Sequence, residues 1–146
     1  MVIVVHRFTA FSSFFPAGCE KWQPDFFEGT VMSDLVHVKK GYAPKLRSGF
    51  IKYDIYESFG EIFVAMVYNY QKGTHSTEAV PLASIAKCFN GVVTSRLLYN
   101  VFVCKSNNNG SFLIAILLKE KLIERCGRHK YRSTNSLDTW QSALKN

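Results

Sequence analysis

The sequence predicts an α+β fold: a mainly antiparallel sheet or small open barrel of about five or six strands, with one long helix in the C-terminal half and two short helices. Segments rich in β-branched and aromatic residues recur before residue 105, one apolar segment near residue 112 has helical character, and glycine, proline and asparagine turn signals separate them. With 146 residues, 47% hydrophobic and 20% charged, the chain is predicted to form one domain, residues 1–146.

The N-terminal third is predicted to contain two strands joined by a long loop. Residues 1–8 are almost all β-branched or aromatic, as in a strand covered on both faces. Residues 9–29 lose this periodicity and are predicted to be a loop pinned by aromatic side chains. Residues 31–38 are the second predicted strand.

The next segment predicts a basic loop and a hairpin. Residues 41–49 combine glycines and a proline with lysine and arginine, which favours a loop. Residues 50–56 alternate between apolar and polar side chains, and residues 62–70 are apolar almost throughout. Together these two segments predict an antiparallel pair whose second strand is interior.

Two elements precede the clearest helix. Thr77 and Pro81 suit the start of a short helix that ends before Asn90-Gly91. Residues 92–104 return to the composition of a strand. Residues 105–110, with three consecutive asparagines and a glycine, predict a turn.

The long helix is predicted over residues 111–126, with Ser111 as its N-cap and Gly127 just beyond its end. Residues 112–118 are apolar on every side, so this part of the helix must be enclosed by the core or by a partner. A last short helix is predicted over residues 137–144, where Leu137, Trp140 and Leu144 share one face that docks on the domain.

The formal net charge of +7 is concentrated in two segments. Residues 37–56 carry five basic side chains against one acidic side chain, and residues 105–146 carry eight against three. Clustered cations of this kind suit a polyanionic partner, because each phosphate that they neutralise releases condensed counterions.

The expected nucleic-acid contacts are cations of both segments and one tyrosine from each. Guanidinium groups form bidentate contacts with phosphate, and tyrosine rings offer stacking faces for unpaired bases. The residues are Lys39, Lys40, Tyr42, Lys45, Arg47, Lys52, Arg125, Arg128, His129, Lys130, Tyr131 and Arg132. The structural alternative is that these charges form solvated faces, with those after the helix favoured by its dipole.

No complete catalytic, metal or cofactor motif is present. Cys126 and His129 provide two zinc ligands but no second pair accompanies them, so neither a metal nor a cofactor is predicted. The sequence favours a protein that is not an enzyme. An enzyme with a dispersed site stays open as an alternative, and would require a pocket that gathers His75, Cys88 and a carboxylate.

Cysteine usage favours an intracellular, reducing compartment. The four cysteines form no C-x-x-C pair and are expected to be buried thiols, although a bond between Cys88 and Cys104 is left open. No apolar run approaches the roughly 18 residues that span a bilayer, so no membrane span is predicted. Targeting of the N-terminus to an organelle is not excluded.

The leading functional prediction is a non-catalytic RNA-binding protein or ribonucleoprotein subunit that uses both basic segments. The alternative is a protein-interaction or assembly module, in which an aromatic loop (residues 11–27) and the apolar helix contact another subunit. The sequence leaves the oligomeric state open.

One local resemblance bears on the RNA prediction. Residues 51–54, Ile-Lys-Tyr-Asp, and residues 62–73 are similar to a strand pair in the large-subunit ribosomal protein family that joins an OB-like barrel to an SH3-like barrel. The family's Pro-Asn after Tyr-Asp and its glycine- and histidine-rich C-terminal extension are both missing from this chain. The resemblance implies RNA binding, and no site residue is carried over from it.

Overall fold

The computed structural model describes residues 35–70 and 73–144, and within them the chain has an α+β fold of antiparallel sheets and helices. This confirms the predicted α+β class with its antiparallel strand pairing. The strand predicted at residues 1–8 and the aromatic loop predicted at residues 9–29 lie outside the described residues.

A four-stranded antiparallel sheet occupies the first half of the described chain. Its strands lie side by side in chain order: β1 (Val36–Pro44), β2 (Phe50–Ser58), β3 (Glu61–Asn69) and β4 (Ala79–Pro81). The predicted β2–β3 hairpin is confirmed, with a turn at Phe59 and Gly60, whose φ angles are 51° and 86°. The loop predicted over residues 41–49 is wrong in its first half, because β1 continues to Pro44.

The sheet turns one face of β1 and β2 to the core. Ile51, Tyr53 and Ile55 alternate along β2 and are fully buried, and Ala43 joins them from β1. Gly41 lies opposite Tyr53, where a β-carbon would approach the phenol oxygen to 2.5 Å. The glycine therefore makes room for the tyrosine ring.

Two short helices follow the sheet. The first lies within the predicted short helix, but it begins at Leu82 and is not capped by Thr77, because residues 79–81 form β4. Helix α1 (Leu82–Ala86) follows Pro81 and continues as a 3-10 turn (Lys87–Phe89). The strand predicted over residues 92–104 is wrong: only Val93 makes a strand-like bridge there, and the next residues form helix α2 (Ser95–Tyr99). The Thr94 hydroxyl accepts a hydrogen bond of 3.3 Å from the Leu97 N–H and caps α2.

Helix α3 (Asn109–Lys119) is shorter than the helix predicted over residues 111–126, so the expected long helix is not present. The helix stops because the chain turns at Lys121, which has a φ of 62° and whose carbonyl accepts a hydrogen bond from the Thr134 hydroxyl. The following residues form β5 (Ile123–Gly127), which pairs with β6 (Lys130–Ser133). The last helix, α4 (Leu137–Leu144), has the predicted bounds and is also short.

Helix α3 lies in the centre of the core. Every residue from Phe112 to Leu117 is buried, as the all-round apolar pattern predicts. Gly110, in the first turn, lies against the backbone of Ser95 in α2 and leaves no space for a β-carbon. Leu137, Trp140 and Leu144 of α4 pack against the same core, which confirms the predicted docking face.

The cysteines differ from the expected buried thiols. Cys104 is buried and disulfide-bonded, while Cys88 and Cys126 are free. Because Cys88 is free, the pair with Cys104 that the sequence leaves open does not form. Among the described helices, none is long and apolar enough to cross a membrane.

Candidate nucleic-acid interface

The sheet has a second face, which points away from α3 at β1 and β2. The alternation that sends Tyr53 to the core sends its neighbours Lys52 and Asp54 to the opposite side. On β1 the same alternation sends Lys40 and Tyr42 to that side, where they lie opposite Asp54 and Lys52. We call this side the outer face.

Three tyrosines at one end of the outer face form a cluster that we call the tyrosine platform: Tyr42, Tyr68 and Tyr70. Their exposed fractions are 47%, 54% and 52%. The ring centroids of Tyr68 and Tyr70 are 4.7 Å apart, edge to face, and those of Tyr42 and Tyr70 are 6.0 Å apart. Partial desolvation raises the pKa of Tyr70, and a hydrogen bond with the Tyr42 hydroxyl adds to this.

The platform carries a cation between two of its rings. Lys52 on β2 is the register partner of Tyr42 on β1 and of Tyr68 on β3, so the three side chains form one row across the sheet. The next row brings Phe50 beside Tyr70, whose N–H donates to the Phe50 carbonyl at 3.1 Å. This end of the outer face therefore combines exposed aromatic rings with a lysine.

The acidic residue of the outer face is held by its neighbours. The Asp54 carboxylate is 3.1 Å from His37 Nε2 and accepts a hydrogen bond of 3.2 Å from the Tyr56 hydroxyl. Burial raises the pKa of Tyr56 to about 12, and the Asp54 charge adds to this, so the hydroxyl stays a donor at neutral pH. Lys40 is the register partner of Asp54 across the strand pair.

The other cations of the first segment are divided between the loop and the core side. Arg47 is exposed in the loop after β1. Lys45 folds back, with its ammonium 2.5 Å from Asn69 Oδ1 and 5.1 Å from the centre of the Phe112 ring. Lys39 points to the α3 side and pairs with Glu120 at 2.7 Å, so its charge is neutralised within the fold.

Glu120 joins three elements at the end of α3. Besides Lys39, its carboxylate accepts hydrogen bonds from the Tyr53 hydroxyl and, at 2.9 Å, from Trp140 Nε1. Its side chain is only 4% exposed. Burial alone raises the pKa of this carboxyl, but the bonds from Lys39, Tyr53 and Trp140 outweigh burial and lower it.

The second basic segment forms the β5–β6 hairpin, which we call the basic hairpin. Arg125, Arg128, His129 and Lys130 are exposed on it. Arg132 is also exposed and forms an ion pair of 2.6 Å with Glu124.

Tyr131, the tyrosine of this segment, is not a stacking face. It is 2% exposed, and it bonds through its backbone to Val93 at 2.7 and 3.0 Å. The expectation that its ring meets an unpaired base is therefore wrong, because that ring belongs to the core. The guanidinium carbon of Arg125 lies 5.5 Å from the ring centre.

The predicted contact residues thus divide into separate groups. Lys40, Tyr42 and Lys52 share the outer face, the basic hairpin holds the second group, and Lys39 and Lys45 are engaged within the fold. The sequence prediction missed Tyr68 and Tyr70, because residues 62–70 look like a strand buried on both faces. The spacing of these two tyrosines on either side of Asn69 is the signal that they share a face.

The alternative of a dispersed enzyme site concerns His75 and Cys88, for which the structure gives different hydrogen-bond partners. His75 donates to the Ser76 carbonyl and lies 6.2 Å, ring to ring, from Phe112, whereas the Cys88 thiol is directed at the carbonyls of Ser84 and Leu97. Burial raises the pKa of the Cys88 thiol, which disfavours a nucleophilic thiolate. Within residues 35–70 and 73–144, no three His, Cys, Asp or Glu side chains come together as metal ligands.

Comparison with known proteins adds no assignment. The chain has no significant match among protein-family models, curated proteins or solved structures.

Proposed function

We propose that this chain is a non-catalytic RNA-binding protein or ribonucleoprotein subunit, and that single-stranded RNA lies on the tyrosine platform. The observation that carries the proposal is the row formed by Tyr42, Lys52 and Tyr68, with Tyr70 in ring contact with both tyrosines. Aromatic side chains at such exposure provide flat faces beside a positive charge.

This combination suits an unpaired strand. A base stacked on an aromatic side chain contributes about 1–3 kcal/mol to binding, and each base has such a face whatever its identity. Lys52, Lys40 and Arg47 are placed along β2, β1 and the adjoining loop, where they can follow the phosphates. The tyrosine hydroxyls are donors and acceptors that a ribose 2′-hydroxyl can meet, which favours RNA as the ligand.

The alternative, a protein-interaction module, keeps only part of its support. Residues 112–117 are enclosed by the chain's own core and are not available to a partner. The other part of that prediction, the aromatic loop at residues 11–27, lies outside the described residues. The exposed rings and lysines of the outer face therefore favour the RNA proposal.

Fluorescence anisotropy with a labelled single-stranded RNA, measured over a series of salt concentrations, tests this proposal. We expect Tyr68→Ala to weaken binding by about ten-fold or more, because one stacking face is lost. Lys52→Gln should reduce the slope of log affinity against log salt by about 0.7, the change for one single-strand phosphate contact.

The matched control is Phe59→Ala, which removes a ring of 59% exposure at the β2–β3 turn. Phe59 follows Lys52, which lies in the row of Tyr42 and Tyr68, by seven residues along β2, and this is about 23 Å at about 3.3 Å for each residue. The control variant should bind as the unmodified chain does. Affinity that does not change with salt, or equal losses in the platform and control variants, would overturn the proposal.

A further inference from the structure

We propose that His37 and Asp54 form a pH-dependent charge switch beside the tyrosine platform, and that a proton taken up by His37 strengthens the binding of single-stranded RNA there. The platform is the site of the proposed function, so this regulation rests on that function. The position of the pair, the charges around it and the accessibility of the histidine support the switch.

The pair lies next to the platform on the outer face. Lys52 of the platform row and Asp54 are two residues apart on β2, which is about 6.6 Å along the strand at about 3.3 Å for each residue. Their register partners on β1, Tyr42 and Lys40, have the same spacing. This separation is shorter than the Debye length of about 10 Å at 0.1 M salt, so the Asp54 charge acts on a phosphate beside Lys52.

Asp54 carries a negative charge in the row next to the platform. While His37 is neutral, this carboxylate offsets one of the two lysines of the outer face, Lys40 and Lys52, and repels a phosphate of the RNA. A proton on His37 compensates the carboxylate. Both lysines are then available to attract the strand.

His37 is placed to take up that proton. Its Nε2 lies 3.1 Å from an Asp54 oxygen, and its side chain is 45% exposed. The rings of His37 and Tyr56 meet edge to face at 5.6 Å, which fixes the imidazole beside the carboxylate. Histidine is the side chain that ordinarily changes its charge between about pH 5 and pH 8.

The other titratable groups around the histidine keep their charge over this range. In the described chain they belong to β2 and to β1 itself: Asp54, Tyr56, Glu57, Lys39 and Lys40. Tyr56 keeps its proton, because burial and the Asp54 charge raise its pKa to about 12. Lys39 is paired with Glu120 on the α3 side. Carboxylates and lysines do not ordinarily titrate near neutral pH, so the change in charge beside the platform comes from His37.

Fluorescence anisotropy of the full chain with a labelled strand of about ten uridines, measured between about pH 5.5 and pH 7.5 in about 0.1 M salt, tests the switch. The uracil base and the phosphodiester keep their charge over this range, so a change in affinity reports groups of the protein. We expect the affinity to rise about three-fold or more as the pH falls. His37→Gln should remove most of this rise, because glutamine does not titrate.

Asp54→Asn separates the effect of the charge from damage to the fold. It removes the negative charge beside the platform, so we expect it to bind the uridine strand about three-fold more tightly than the unmodified chain at pH 7.5. Damage to the sheet would weaken binding instead. An Asp54→Asn variant that binds no more tightly than the unmodified chain at pH 7.5 would overturn the switch.

The comparison variant is His129→Gln, which removes an exposed imidazole from the basic hairpin. It should keep the rise in affinity, because the hairpin is not part of the platform. If the affinity of the unmodified chain does not change with pH, or if His129→Gln reduces the rise as much as His37→Gln does, the switch is excluded while the platform proposal stands. If the uridine strand binds at no pH, the proposed function fails as well.

Discussion

At the scale of single residues, buried polar side chains hold together segments that have no regular structure. Asn109 is fully buried, and its amide accepts a hydrogen bond from the Ser76 N–H and donates one to the Cys104 carbonyl, both at 2.9 Å. Glu78 accepts from the N–H groups of Val103 and Cys104 at 2.9 and 2.8 Å. Burial raises the pKa of Glu78, although these bonds oppose it.

Replacing Asn109 tests whether this network stabilises the fold. Asn109→Ala leaves a buried N–H and a buried carbonyl without their partner, so we expect a loss of about 2–6 kcal/mol in the free energy of unfolding, at about 1–3 kcal/mol for each of the two unpaired groups. Urea denaturation measures the change. Asn107→Ala, which alters an exposed asparagine of the same run, should have almost no effect. Equal losses in the two variants would contradict the account.

Glu120 gives the fold a defined dependence on pH. Its pKa is lowered in the fold because the bonds from Lys39, Tyr53 and Trp140 outweigh burial. A carboxylate with a lowered folded-state pKa stabilises the protein above its unfolded-state pKa, and this contribution is lost as the pH falls through the folded-state value. The stabilisation is therefore present at neutral pH and disappears in acid.

We expect Glu120→Gln to lower the free energy of unfolding at pH 7 by about 2 kcal/mol, which lies within the range of about 1.5–3 kcal/mol for a hydrogen bond to a charged group. The difference from the unmodified chain should shrink as the pH falls below the ordinary carboxyl pKa of 4.5 and the native carboxylate becomes protonated. Glu124→Gln breaks the exposed ion pair with Arg132, so its cost should be below about 1 kcal/mol. A difference that stays constant with pH would contradict this role for Glu120.

At the scale of elements, local patterns predicted some segments well. Strands β2 and β3 and helix α4 follow from alternation and helical spacing that lie entirely within each segment. The errors at α2 and at the end of α3 have tertiary causes. Leucine occurs in both strands and helices, so Leu97 and Leu98 do not decide between the two. The segment is helical because Thr94 caps it and because it packs against α3.

The end of α3 depends on residues that are distant in sequence. Lys119 to Arg125 have good helical propensity, but Thr134 and Ser136 bind the Lys121 carbonyl, and Leu122 and Ile123 are buried beyond the turn. Side chains from a later part of the chain thus outweigh local preference. Sequence periodicity alone does not contain that information.

The crossing of α2 and α3 provides a test at this scale. Gly110→Ala places a β-carbon against the Ser95 carbonyl, and the two helices must separate. We expect a loss of about 3 kcal/mol or more in the free energy of unfolding, despite the better helix propensity of alanine. Gly127→Ala meets ordinary contacts with Lys130 no closer than 3.5 Å and serves as the control. A neutral or stabilising Gly110→Ala would contradict the close crossing.

At the scale of the whole molecule, the redox state of the cysteines bears on where the chain resides. Disulfides persist in oxidising compartments and are rare in reducing ones, so the redox state of Cys104 in the isolated protein tests the reducing compartment that the sequence predicts. We expect alkylation of the denatured protein without reductant to label Cys88 and Cys126 but not Cys104. Labelling of Cys104 under those conditions, read by mass spectrometry, would contradict the bonded state.

The candidate site was only partly predictable from the sequence. The clustering of basic side chains in residues 37–56 identified Lys40 and Lys52, together with Tyr42 in the same segment, because the positions of charged residues can be read directly from the sequence. The platform also needs Tyr68, which strand register places in one row with Tyr42. That register, like the burial of Tyr131, is decided by the packing of the folded chain.

The most direct test of RNA binding on the tyrosine platform is photochemical crosslinking with a single-stranded RNA that contains 4-thiouridine, followed by mass spectrometry of the crosslinked peptides. A base stacked on the platform lies in contact with its rings, so we expect crosslinks at Tyr42, Tyr68 or Tyr70, and their loss at high salt. Crosslinks confined to other residues, or none at low salt, would contradict the proposal.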